Sequence, residues 1–117
     1  MKKNEHQEQK ALVQWFRLQW PAVQNCLFAI PNGGNRSITE AVRLKSEGVL
    51  PGVSDLFLMI PKGRFHGMFI EMKAKGGYAS APQKQFIALA QAMGYMAVVC
   101  HGFEDAQDQI KKYLAQS

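Results

Sequence analysis

The sequence predicts an α/β fold: a mixed central β-sheet flanked by helices, in the order α-β-α-β-β-α-β-α. Two observations carry that reading. Apolar runs of strand length recur at residues 26–30, 53–60, 67–72 and 96–100, separated by segments with helical i, i+3, i+4 apolar spacing. Three of the helical segments open on a capping signature, Asn4 with Gln7, Ser37 with Glu40 and Ser80 with Gln83. Buried strands alternating with helices form a sheet covered by helices rather than a bundle or a sandwich.

The first helix carries Leu12, Trp15 and Phe16 on one stripe and is expected to end near Trp20, because Pro21 disfavours helical geometry before it. CLFAI at 26–30 is a short strand, and PNGGN at 31–35 breaks regular structure. The second helix carries Ala41, Val42 and Leu44 and stops at Gly48. After the Pro51-Gly52 turn, VSDLFLMI at 53–60 is apolar almost throughout, as in a central strand covered on both faces. A turn at 61–64 leads to the return strand at 67–72, and Gly76 and Gly77 mark a loop. The third helix runs to Gly94, MAVVC at 96–100 is a further strand, and a last helix turns Ile110, Tyr113 and Leu114 inward.

With 117 residues, 47% hydrophobic and 20% charged, the chain reads as one domain over 1–117 that folds without disulfide or structural metal. No apolar run suits a membrane span, and the polar first ten residues do not resemble a signal peptide. Cys26 and Cys100 stand apart, outside any zinc-ligand spacing, and read as reduced, buried thiols of a cytoplasmic protein. His6, His66 and His101 are equally scattered. The balance of 14 Lys and Arg against 9 Asp and Glu, a net +5, favours a polyanionic partner without identifying one.

Two carboxylates sit where a core would not tolerate them alone. Asp55 lies inside VSDLFLMI and Glu71 inside MFIEMK, and burying either costs several kcal/mol (~2–5) without compensation. The midpoint of 55 and 71 is Gly63, in the predicted turn. Residues equidistant from a hairpin turn face each other on one side of the sheet. Strand alternation adds Lys73 to that side. Facing carboxylates repel unless a cation lies between them, and an all-oxygen site suits Mg²⁺ or Mn²⁺. A lysine beside such an ion orients water and neutralises developing charge, so the set has the parts for phosphodiester hydrolysis. Structural ion pairing is the plainer alternative, and E-x-K by itself is weak: Glu8-Gln9-Lys10 matches it on a helix.

PGVSD at 51–55, Glu71-Met72-Lys73 and Gln83 together resemble the core of the PD-(D/E)xK nuclease superfamily, with its restriction-endonuclease-like fold. PNGGNR, LKSEGVLPGVSDL and FIEMKAKGGYASAPQKQF, in that order, resemble its VRR-NUC branch, in particular the stand-alone domains of phages and prophages. Ser54 departs from the pattern, standing where the superfamily name has Pro. The resemblance implies Asp55 and Glu71 as metal ligands with the Met72 backbone carbonyl, and Lys73 as the residue that positions or activates water. It implies Gln83 facing the site in contact with the phosphate or Lys73, and Glu5 from the first helix completing it; Glu8 reads as a solvated helix face. It favours Asn32 and Arg36 beside the site, and Lys75 and Tyr78 as contacts to the DNA backbone; each has an ordinary loop or surface role as the alternative.

The expected function is a Mg²⁺- or Mn²⁺-dependent endodeoxyribonuclease on branched or structured DNA, acting as a homodimer in the cytoplasm of a bacterial host. The alternatives are a restriction-type or nicking nuclease on ordinary duplex, and a non-catalytic DNA-binding module of the same fold.

Overall fold

A computed structural model describes residues 5–31 and 37–117. Asn4, and with it the first capping signature, lies outside the described residues, as do Asn32 and Arg36. Helix α1 (Glu5–Gln19) is followed by a 3₁₀ turn (Pro21–Cys26) and strand β1 (Leu27–Ala29). Then come α2 (Ile38–Ser46), β2 (Leu56–Leu58), β3 (Met68–Lys73), α3 (Ala81–Ala92), β4 (Met96–His101) and α4 (Phe103–Leu114). The order is the expected one, with the 3₁₀ turn added.

The four strands form one sheet in the order β1-β2-β3-β4. β1, β2 and β3 are antiparallel neighbours, and β4 runs parallel to β3 after the α3 crossover. The sheet is mixed, as predicted. In the β2–β3 hairpin Leu56 pairs with Ile70, Phe57 with Phe69 and Leu58 with Met68, a register symmetric about residue 63. Gly63 takes a φ of +57°, the left-handed geometry glycine tolerates in such a turn.

One face of the sheet is the core. Leu27, Leu56, Leu58, Met68, Ile70, Met72 and Cys100 pack against Leu12 and Phe16 of α1 and Ala106, Ile110 and Tyr113 of α4, all essentially inaccessible. Each large apolar side chain buried there contributes roughly 1.5–3 kcal/mol. The Tyr113 hydroxyl donates to the Ile60 carbonyl at 2.6 Å, so the phenol is buried without leaving its donor unpaired. The opposite face, under α3, carries an aromatic row: Phe57 lies 5.8 Å from Phe28 and 4.5 Å from Phe69, ring centre to ring centre. Phe69 in turn meets Phe86 of α3 at 5.0 Å.

Three expectations are corrected. The strand predicted over 53–60 is regular only at Leu56–Leu58, and Phe57 is half-buried rather than covered. Its apolar composition reflects packing of an irregular approach as much as strand pairing. Helix α2 buries none of its residues: Ile38 is 85% and Val42 63% exposed. Its local signals still hold, since the Ser37 hydroxyl accepts from the Glu40 N–H at 3.1 Å. Cys26 is only half-buried, while Cys100 is fully enclosed. Burial, with Asp105 nearby, pushes the Cys100 thiol up to about 12, so it is a neutral packing group.

Candidate active site

Sheet register decides which side chains meet. Extending the β2–β3 pairing one residue past Leu56↔Ile70 sets Asp55 opposite Glu71, on the face of the aromatic row. Glu71 is in register with Val99 and Lys73 with His101 on β4. The α3 face therefore runs from rings (Phe57, Phe69) to carboxylates (Asp55, Glu71) to the Lys73 ammonium and the His101 ring, two residues per step.

β2 ends where it does because Asp55 replaces ladder pairing with its side chain. Asp55 Oδ2 accepts the Met72 N–H at 2.7 Å, taking a donor that a further strand residue would have used. The approach to Asp55 passes through Gly52, with φ +89°. A Cβ there would collide with the Pro82 carbonyl and the Gln83 amide, so this glycine lets the start of α3 close directly over the site.

α3 brings Gln83. Ser80 and Gln83 form a reciprocal capping box: the Ser80 hydroxyl accepts from the Gln83 N–H at 3.3 Å, and Gln83 Oε1 accepts from the Ser80 N–H at 2.7 Å. The other end of the same amide, Nε2, donates to Glu71 Oε2 at 3.0 Å. One side chain thus caps the helix and reaches the site through Glu71 rather than Lys73.

Glu71 is 2% exposed, and its Oε1 has no hydrogen-bond partner among the described residues. The Lys73 ammonium lies 3.6 Å from Oε2. Burial, then the neighbouring Asp55 charge, push the Glu71 carboxyl up to about 8, with Lys73 pulling the other way. In the ion-free protein this carboxyl therefore holds its proton well above the ordinary range. A buried acid with one unpaired oxygen, facing a second acid, is costly as packing and suited to a cation.

The donor set fits a hard divalent cation on its own chemistry. Asp55 and Glu71 supply carboxylate oxygens, and the Met72 carbonyl leaves β3 on the side where its N–H meets Asp55. No described residue adds a third His, Cys, Asp or Glu to them. Glu5, expected to complete the set, is exposed at the start of α1 and is not gathered with Asp55 and Glu71.

Glu8 was expected to be solvated and is instead half-buried, its Oε2 accepting the Phe103 N–H at 2.7 Å. It caps α4, whose own N-cap is Gly102 and has no side chain to do so. No spacing rule signals a bond across 95 positions of the chain. Ser54, which stands where the superfamily name has Pro, has a structural position of its own. It is fully buried, and its hydroxyl has no partner among the described residues. Lys75 and Tyr78 are both exposed in the loop after β3.

The fold that carries this site is shared with known proteins. The VRR-NUC domain family model matches residues 2–104. A solved structure described as a VRR_NUC domain protein superposes with a TM-score of 0.86 at 28% identity, covering 97% of this chain and 90% of that one. No curated protein matches. VRR-NUC is a nuclease family, so the carboxylates, the lysine and the glutamine sit in a domain type that processes DNA. With the match spanning most of the sequence and the fold superposing over 97% of the chain, the chain belongs to the VRR-NUC domain family.

Proposed function

We propose that this protein is a Mg²⁺- or Mn²⁺-dependent endodeoxyribonuclease of the PD-(D/E)xK type, acting on branched or structured DNA. The observation that carries the reading is the Asp55–Glu71 pair, with the unpaired Glu71 Oε1 and the Lys73 ammonium on the same face. Asp55, Glu71 and the Met72 carbonyl would hold the cation, which when bound neutralises charge and polarises the phosphodiester. Lys73 orients the attacking water and stabilises negative charge as it develops on the phosphate. Gln83 holds Glu71 Oε2 in place and leaves Oε1 free for ligation.

Several features support the finer parts of the reading. Asn32, Arg36 and Lys75 would add cationic and polar contacts to the DNA backbone. Glu5 would have to move toward the carboxylates to join them. A homodimer suits a domain with so small a footprint, and α2 offers uncovered apolar side chains, Ile38 and Val42, for a second copy. The resemblance to phage and prophage domains supports a site of action in a bacterial host's cytoplasm. No helix among the described residues is long and apolar enough to cross a membrane.

The test compares wild type with Asp55→Ala on four-way junction, flap and linear duplex DNA, each with Mg²⁺, Mn²⁺ or EDTA. Metal-dependent cleavage of the branched substrates by wild type alone is expected. Equal cleavage by the variant removes the mechanism. Preference for linear duplex makes the protein a restriction-type or nicking enzyme, and binding without cleavage makes it a DNA-binding module.

A further inference from the structure

A cleft of about 360 Å³ lies between α3 and the open edge of the sheet, next to the carboxylates and not used by them. Its apolar wall is Ile87 and Ala88 of α3 with Val99 of β4, and its rim is Tyr78, Lys84 and His101. Val99 is the register partner of Glu71 and His101 of Lys73, so the cleft begins one strand away from the site, about 4.8 Å. Tyr78, 87% exposed, stands at the mouth.

β4 is the edge strand, and its backbone groups there have a definite disposition. Met96 and Gly102 donate inward, to the Gly67 and Lys73 carbonyls, so the odd-numbered residues between them point outward. The Ala97 carbonyl is taken by the Gln91 amide at 3.1 Å, and the His101 N–H by Asp105 at 2.8 Å. Between these two, the N–H and C=O of Val99 point outward from the sheet edge, and Val99 lines the cleft. An added peptide strand would need Ala97 and His101 as well, which side chains already occupy. One donor beside one acceptor, over an apolar floor, matches the edge and face of a single heterocyclic base.

We propose that this cleft holds one unpaired nucleobase of the strand being cut, with Tyr78 stacking on it, Val99 meeting its polar edge and Lys84 facing the adjoining phosphate. A base still paired and stacked in duplex cannot enter, so the subsite selects DNA that is single-stranded beside the scissile phosphate. The proposal rests on the nuclease reading and narrows its substrate to flaps, gaps and forks.

The test measures equilibrium binding of the full chain carrying Asp55→Ala, which leaves DNA uncut, to a single-stranded oligonucleotide and to the same sequence as blunt duplex. Adding Tyr78→Ala should weaken single-strand binding about tenfold and duplex binding far less. Tyr78→Phe should restore it, and Ala88→Phe, which fills the cleft from α3, should reproduce the loss. Both positions are exposed, so the variants fold. Equal loss on both DNAs, no loss on either, or no restoration by Tyr78→Phe overturns the proposal. Because the ratio is read without cleavage, failure of the nuclease reading shows separately, in the cleavage assay.

Discussion

The two faces of the sheet use the same strands to opposite ends. Toward α1 and α4, alternate residues of β2 and β3 are Leu56, Leu58, Met68, Ile70 and Met72, all fully buried and all apolar. Toward α3, the residues between them are Phe57, Phe69, Asp55, Glu71 and Lys73, with burial from complete to partial. The first face presents only apolar strand side chains and has one purpose, stability. The second accepts a buried acid with an unpaired oxygen, which a core would exclude. A two-residue period thus divides stability from chemistry within a single strand, and neighbouring substitutions should separate them.

The sharpest division is between Lys73 and Ile70. Lys73→Ala should lower cleavage by about 10²–10³-fold, because it removes a charge aimed at the reacting phosphate. Its chemical denaturation midpoint should stay close to that of wild type. Ile70→Ala, three residues earlier on the other face, should do the reverse. It should cost about 2–5 kcal/mol in denaturation while the folded fraction keeps its cleavage rate. If Ile70→Ala abolished activity in fully folded protein, the separation of the faces would be broken.

Acidity gives a second contrast. The Glu71 carboxyl is raised to about 8 from an ordinary 4.5, so the folded state holds a proton that the unfolded state releases earlier. In ion-free buffer this contribution to stability is complete below about pH 4.5 and is lost as pH rises through about 8. Melting temperature in EDTA should therefore decline across that window, and Glu71→Gln should flatten the decline. Divalent cation should oppose it in wild type, since ligation favours the ionised form. A wild-type profile matching that of Glu71→Gln would show that the acid titrates normally.

The smallest expected effect concerns Ser54, beside Asp55. Its buried hydroxyl lacks a partner among the described residues, so Ser54→Ala should stabilise the protein by about 1 kcal/mol with cleavage unchanged. A loss of stability instead would mean that the hydroxyl is satisfied in solution, by an ordered water for example.

Legibility followed the range of the interactions. The hairpin centred on Gly63 was readable because symmetry about a turn is local arithmetic, and it brought Asp55 opposite Glu71. The Ser80–Gln83 capping box was readable for the same reason, being a contact three residues long. The irregular path into Asp55 was not, because an apolar run of mixed composition reads alike whether it pairs or merely packs. Nor was the exposure of α2, whose Val42 looks inward by pattern and meets nothing that buries it.

By itself, then, the sequence determined the element order, the mixed sheet, the facing carboxylates and the lysine beside them. These follow from period, capping and turn symmetry, which act over a few residues or across one hairpin. Only the tertiary structure decided the rest. It turned Glu8 to the end of α4 rather than to solvent, left Glu5 apart from the carboxylates, joined Gln83 to Glu71 across the gap between helix and sheet, and opened the cleft beside β4. Those placements depend on how helices settle against a twisted sheet, through contacts whose partners are far apart in the chain and leave no periodic trace in it.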